Sequence, residues 1–562
     1  MSTRTAATAR SPWKGKGSER PGSLTGTGVL LRFMLRRDRL RLPAWVLGIS
    51  ALMAYFANAI GELMGDEESL ASMAALATNP VIALIGGPGY GLDEITVPRF
   101  LAAMYGLYLM LAAAFMSITT ISRHTRVEEQ TGRAELLRAS VLGRHAQLTA
   151  ALIMATAMNL LVALLSAALV MGSVIEPSPD AQGSLLFGFS IGAAGLAFAG
   201  VAAVTVQLSA FSRAGSGIAG AVLGTAFVIR GLGDMSFVAQ GEDGALAWLS
   251  WLSPLGWAQQ TAPYTLDRWW PLLLSVVFAL LLAAVGYSLQ SRRDLAAGIL
   301  PDRLGSARAA AWLAGPLPLA LRLQRSSLIG WTAGLLIAGV AFGGFTDAMI
   351  EGVAGMPEEI AALMGGSDGI VEGYQGFMGL YFAIMVAVFV ILAAQGLRSE
   401  EQGVRTEPIL ATGVSRARWL LSWAAVAAGG SAWLLLVAGF GQGLGASLST
   451  GDWSLLGPVI LGHVVHVAPV WFLLGLALAL YGWVPRLTGV AWAVFGFGTL
   501  LALFGPMLDV GQAVLNASPF DHVGQYPSEA ISWTAVAILG GTGVLLVLGA
   551  VAGFRRRDLT TA

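Results

Sequence analysis

Glutamates and arginines recur at one spacing in two places along the chain. Residues 126–148 read RVEEQTGRAELLRASVLGRHAQL and residues 398–420 read RSEEQGVRTEPILATGVSRARWL, an offset of 272 with 9 of 23 positions identical. Arg126, Glu128, Glu129, Gln130, Arg133 and Glu135 match Arg398, Glu400, Glu401, Gln402, Arg405 and Glu407. Glu129–Arg133 and Glu401–Arg405 are i,i+4 pairs with the acid first, the favourable order on a helix. Apolar residues follow, Leu136, Leu137 and Leu142 in the first stretch and Ile409, Leu410 and Val414 in the second. A helix with a charged start and an apolar ridge suits insertion into a partner's groove. A solvated turn has no need to keep EEQ-x-x-R-x-E twice. The chemistry expected of these residues is recognition of another protein.

Other reactive constellations are thin. The chain has no cysteine, which removes thiolate metal sites and cysteine nucleophiles. His463 and His466 are three apart and share a helix face, but two histidines leave a metal site underfilled. They read as polar residues bonding across a helix contact or lining a wet cavity. A phosphate-binding loop needs the lysine of GxxxxGK[ST]. The two lysines, Lys14 and Lys16, fit no such motif. The chain is therefore expected to bind no nucleotide or other cofactor itself.

The elements that must carry these residues are membrane spans. Hydrophobic residues make up 56%, charged residues 12%, and mean hydropathy is +0.70. Soluble domains carry about 25% charged residues. Twelve stretches are long enough to cross a bilayer as helices. They lie near 43–64, 100–121, 147–171, 183–209, 215–232, 270–289, 328–349, 376–397, 419–440, 458–481, 487–508 and 532–553. With the N-terminus in the cytoplasm, cytoplasmic segments hold 30 of the 33 basic residues, and only Arg99, Arg230 and Arg268 fall elsewhere. Acidic residues lean the other way, 22 of 33 being external. Both termini are thus expected inside. The first apolar run begins after about 40 residues, so no cleavable signal peptide is expected. A Ser/Thr/Gly/Arg-rich leader over 1–27 reads as disordered, and 28–42 as a basic interfacial helix.

The repeat extends over both halves. Arg36, Arg39 and Trp45 share their spacing with Arg322, Arg325 and Trp331. Ser253-Pro254 recurs as Ser518-Pro519, and Arg292-Arg293-Asp294-Leu295 as Arg556-Arg557-Asp558-Leu559. Two six-span halves in the same orientation follow, 28–297 and 321–562, joined by a cytoplasmic linker over 298–320 with a short helix at 306–314. External loops 65–99 and 350–375 carry Glu67-Glu68 and Glu358-Glu359, each before a short helical pattern. Loops 233–269 and 509–531 precede the last span of each half. The first holds Trp248, Trp251, Trp257, Trp269 and Trp270, which suits helices dipping into the outer interface or a plain aromatic belt. No charge falls in the central part of any expected span. Glu62, Arg230 and Asp347 sit at external ends, which argues against a proton- or sodium-driven carrier.

The segment after each second span resembles the pattern E-x-x-x-G-T-x-E-x-L-L-x-x-P-x-S-R of ABC-2 type exporter permeases. The nearest branch is the fused, twelve-span tetronasin or polyketide-antibiotic exporter permease of actinobacteria. The first half matches at Glu128, Gly132, Glu135, Leu137 and Arg144, the second at Glu407, Ser415 and Arg416. Arg133 and Arg405 replace the usual Thr, Val404 replaces the Gly, and Pro408 is extra, best placed in the first turn of its helix. The resemblance implies an all-α polytopic fold with a type V exporter transmembrane domain in the bacterial plasma membrane. It implies coupling helices within 126–144 and 398–416, received by two copies of a separate ATPase that holds ATP and Mg. Their expected contacts are Glu128, Glu129, Arg133, Glu135, Leu137 and Arg144, with Glu400, Glu401, Arg405, Glu407, Ile409 and Arg416. It implies an upper gate before spans 6 and 12 and a hydrophobic cargo: antibiotics, drugs or lipid-like molecules, and no nucleic acid. Second and fifth spans facing a central pathway would nominate Tyr105, Tyr108, Phe115, Met116 and Phe227. In the second half they nominate Phe377, Tyr381, Phe382, Phe389, Phe495, Phe497 and Phe504. A secondary carrier and a membrane-embedded lipid-modifying enzyme are the rival classes. The charge bias predicts that reporters fused at residue 1 and residue 562 both stay inside the cell. A reporter found outside at either end overturns the orientation.

Overall fold

The computed structural model describes residues 22–63, 83, 86–133, 142–301, 305, 307–347, 350, 366–504 and 512–559. Glu67-Glu68, Glu358-Glu359, Glu135, Leu136, Leu137 and most of the leader lie outside them. Among the described residues the protein is all helical. Eleven helices are long and apolar enough to cross a membrane. A twelfth span arises when α1 (Thr27–Arg37) and the start of α2 (Arg41–Leu63), bent by 69°, count together. Each of the twelve expected stretches has its helix.

The chain divides into two compact units, Met1–Leu304 and Gly305–Ala562. In the first, α2 is followed by α3 (Gly106–His124), entered through a π-helical turn at Leu101–Tyr105. Then come α4 (Arg126–Gln130), α5 (Ala146–Met171), α6 (Ala181–Leu208) and α7 (Ser212–Gln240). The short α8 (Pro254–Gln259) and the span α9 (Pro271–Ser291) complete it. Helix α6 is the hub, packed on α3, α5 and α9. Glycine permits its closeness to α5: a Cβ on Gly188 would sit 2.2 Å from the Ala163 carbonyl oxygen. Small residues at such contacts are how helices associate in lipid, where no hydrophobic force separates helix from tail.

The second unit holds α10 (Pro316–Gly343), α11 (Gly366–Gln402), α12 (Thr406–Ala411) and α13 (Arg416–Thr450). Next come α14 (Leu456–Val464), α15 (Val467–Trp483) and α16 (Val490–Phe504). The turn α17 (Gln512–Leu515) and the span α18 (Trp533–Arg556) follow. Here α10 packs on α13 and α15 on α18. The tenth span is broken between α14 and α15 at Val465-His466. Pro469 lies four residues after Val465 and has no N–H to bond its carbonyl, which accounts for the break.

Two expectations need correction. Residues 307–314 form no helix, only a turn in which Leu313 N–H donates to Ala310 at 2.8 Å. A run this short, framed by Gly305 and Gly315-Pro316, pays the cost of helix nucleation with too few bonds to recover it. The fifth span runs on past residue 232 to Gln240, so Arg230 lies well inside α7 instead of at its end.

The recurring cassette breaks its helix at one matched position in each unit. Gly132, just after α4, has φ +73°, and Val404, just after α11, has φ +56°. Glycine adopts this left-handed conformation freely, whereas a β-branched residue is strained there. Val404→Gly is therefore expected to stabilise the protein by about 1 kcal/mol. A thermal unfolding midpoint unchanged or lowered by the substitution would refute the strain.

Candidate functional site

The helix breaks decide what the cassette side chains touch. Arg133 and Arg405 fall beyond the turn, so neither i,i+4 pair forms. Glu129 is buried and meets Arg293 in a two-toothed ion pair, with Oε1 to Nη2 at 2.7 Å and Oε2 to Nη1 at 2.8 Å. It also accepts from Arg126, three residues earlier, at 2.8 Å. Glu401 does the same in the second unit: both its oxygens accept from Arg557 at 2.6 Å, and Tyr481 O–H donates to it at 2.6 Å. The Arg557 guanidinium lies over the rings of Tyr481 and Phe554 at 4.9 and 5.0 Å. Arg293 is steadied instead by Gln207, whose Oε1 accepts from its Nε at 2.7 Å. In each unit, a glutamate after the second span is thus bound to the arginine that ends the sixth.

A second arginine reaches the same place from the other side. Arg144 donates to the Ser291 carbonyl at 3.4 Å, and Arg416 to the carbonyls of Phe554 at 3.2 Å and Arg557 at 2.6 Å. The carbonyls ending a helix lack intrahelical partners, and arginine suits the negative end of the dipole. Arg126 is buried and donates to Val206 and Ala297 carbonyls, while Arg398 donates to Thr488.

The first unit ties in its entry helix as well. Glu128 accepts from Arg37 at 2.5 Å. Asp38, between α1 and α2, accepts from Arg123 through two bonds of 2.7 Å. Glu400, the counterpart of Glu128, takes Arg405 instead, again through two bonds of 2.8 Å. Hydrogen bonding to Glu400 raises the Arg405 pKa further above its ordinary value. Among the described residues, Gln130, Thr131, Arg133 and Arg144 are exposed at this loop in the first unit, and Arg405, Pro408, Ala411 and Thr412 are among those exposed in the second. Glu407 is half-exposed, Pro408 sits in the first turn of α12, and Ile409 packs against the core.

The nominated aromatic residues divide by burial. Tyr108, Phe115, Phe377 and Phe497 are exposed, and Tyr105, Phe227, Tyr381 and Phe495 half-buried. Met116, Phe382 and Phe389 are buried in the apolar core of their own unit. Phe382 packs on Phe342 and His463, and Phe389 on Trp331. The Phe504 side chain lies outside the described ones. His463 and His466 are buried, each with Nδ1 2.8 Å from the carbonyl four residues back. No group of three metal-binding side chains exists among the described residues.

One cluster was not foreseen. On α7, Arg230 and Asp234 form a fully buried ion pair at 2.8 Å. Asp234 also accepts from Ser250 at 2.7 Å, and Arg230 donates to Gln259 at 3.1 Å. The pair therefore ties the segment carrying Ser250 and α8 down onto α7. Its i,i+4 spacing is visible in the sequence, but the apolar run weakens after residue 232 while the helix continues to Gln240. A simpler tie recurs in both units. Ser253 Oγ donates to the Ala226 carbonyl at 2.8 Å and Ser518 Oγ to that of Gly498 at 3.0 Å. Ala226 and Gly498 again differ by 272. By the same offset, Ala502 stands where the first half has Arg230.

Removing one member of a buried pair strands the other charge, at a cost of about 3–5 kcal/mol. Arg557→Ala and Arg293→Ala are each expected to destabilise the protein to that extent. The double change Glu401→Leu with Arg557→Leu is expected to cost less than the sum of its single changes. Additive losses in unfolding measurements would show that the pairs are not coupled.

The family described as "Multidrug efflux system permease Rv1217c, C-terminal domain" matches residues 30–289 and 313–555. The chain is also 35% identical to the multidrug efflux system permease protein Rv1217c of Mycobacterium tuberculosis (strain ATCC 25618 / H37Rv). That similarity covers 98% of this chain and 97% of the relative. With its twelve expected spans present as helices and family similarity running through both units, the chain belongs to the Rv1217c multidrug efflux permease family.

Proposed function

We propose that this protein is the membrane-spanning subunit of an ATP-driven exporter whose ATPase is a separate chain. Two copies of that ATPase, holding ATP and Mg, dock on the loops that follow the second span of each half. The cargo is a hydrophobic antibiotic, drug or lipid-like molecule, the membrane is the bacterial plasma membrane, and both termini are cytoplasmic. The observation that carries the reading is the recurrence of Glu129–Arg293 and Glu401–Arg557. Each pair binds a docking loop rigidly to the far end of its half, so a push on the loop moves the last span with it. A loop serving only as a connector has no use for that stiffness. Relatedness to a multidrug efflux permease supports the export of drugs.

In this reading the paired glutamates position the loop, and contact with the ATPase falls to its exposed face. Exposed Pro408 and Ala411 on α12 and Arg405 before it are the candidate contacts. Ala411→Asp is expected to reduce recovery of the ATPase with the permease, and drug resistance in cells, by at least about tenfold. Its unfolding midpoint should match that of the unaltered protein. Full resistance with the partner still bound removes α12 from the interface.

A proton-driven carrier is favoured by one observation, the buried Asp234 on α7. Purified protein in vesicles separates the two readings. Drug uptake driven by a pH gradient without ATPase or ATP supports the carrier, and uptake only with both supports the exporter.

A further inference from the structure

Helices α10 and α13 of the second unit leave an open groove between them, of about 720 Å³. Its walls are apolar, with Leu328, Thr332 and Leu336 on α10 and Ala425, Gly429 and Trp433 on α13. Trp433 Nε1 donates to Thr332 at 3.1 Å, which satisfies the indole and leaves its ring on the rim. The groove owes its depth to Gly429 and Gly430. The first half has Ala157 and Met158 at the matching offset of 272. A Cβ added at Gly429 would meet nothing within 4 Å, so the space in front of it is empty of protein.

Charge gathers where these two helices begin. Arg322 and Arg325 lie on the groove face of α10, since 322, 325, 329, 332 and 336 follow helical spacing. Arg418 lies on the groove face of α13, two turns before Ala425. All three are exposed, and among the described residues none has an ion-pair partner. Neither α10 nor α13 contains an acid. The first half differs here too. The spacing that matches Arg36, Arg39 and Trp45 to Arg322, Arg325 and Trp331 sets Gln324 where the first half has Asp38. Asp38 is spent on Arg123, whereas Gln324 is neutral and buried, with neither amide atom partnered.

We infer that this groove holds an anionic phospholipid, with an acyl chain along Gly429 and the phosphate on Arg322, Arg325 and Arg418. An apolar trough ending in unpaired guanidiniums, with an unpartnered amide one turn below Leu328, is complementary to one molecule that is apolar along its length and anionic at its head. Guanidinium grips phosphate through paired hydrogen bonds, and long arginine stems let the charge reach the interface while the methylenes stay in the apolar layer. The orientation proposed above places this lipid in the inner leaflet. The site itself depends on neither that orientation nor the energy source.

Native mass spectrometry of the full chain, exchanged into equal amounts of phosphatidylglycerol and phosphatidylcholine with identical chains, tests the site. The unaltered protein is expected to retain phosphatidylglycerol in about tenfold preference. Arg322→Gln, Arg325→Gln and Arg418→Gln combined should abolish the preference, and Gly429→Leu should reduce bound lipid of both kinds. Arg36→Gln in the first half should change nothing. Unfolding midpoints identify any variant that fails to fold, in which case the other decides. No headgroup preference, or a preference that survives both changes, overturns the proposal. A dimer that dissociates on Gly429→Leu also overturns it, by making a second copy the occupant.

Discussion

A glutamate and an arginine separated by four spans hold each half of this protein together at one end. Glu129 reaches Arg293 across 164 residues, and Glu401 reaches Arg557 across 156. In a chain so poor in charge, these pairs are strong directional contacts at that end. Both are buried and two-toothed, so they fix orientation as well as distance. Everything else near the loop is arranged around them. Arg144 and Arg416 cap the same helix ends, and Arg126 and Tyr481 take the lone pairs that remain on the glutamates. The apolar spans supply bulk stability in lipid but little specificity, because one greasy helix face resembles another. Charged pairs fix which ends meet.

The halves share this frame and depart from each other around it. The first spends charge freely, tying α1 to the end of the second span through Arg37 and Asp38 and the segment around Ser250 to α7 through Arg230 and Asp234. The second has Leu323, Gln324 and Ala502 at those positions and has the hydroxyl tie of Ser518. In its place it has one unbroken 28-residue helix, α10, where the first half has a sharp bend. An unbraced α10 beside glycines is also what leaves a groove with free arginines.

Much of this was legible in the sequence. Hydropathy located all twelve spans, because the bilayer demands the same run of apolar residues from any helix that crosses it. The internal repeat pointed to the right segments: the loop after the second span and the Arg-Arg-Asp-Leu at the end of the sixth are the two partners of the ion pairs. Their connection was not legible. Helical spacing suggested Glu129–Arg133 and Glu401–Arg405, and a local pairing is the natural guess when residues four apart are complementary. Gly132 and Val404 break the helix between them, and the glutamates turn inward. The long-range partner then wins because it is already buried and aligned. For the same reason a cassette that looked like surface chemistry proved half structural.

The sequence alone determined the number of helices, the pairing of the two halves and the charge asymmetry between their ends. These depend on composition within short windows and on spacing, both of which a single chain displays. Tertiary structure alone decided which charges meet and which stay free. Arg230, Arg293 and Arg325 are the same residue type, yet one clamps the segment around Ser250 onto α7, one holds a loop and one lies open beside a groove. Their roles differ because burial and partner geometry set the worth of a charge, and both are properties of packed helices.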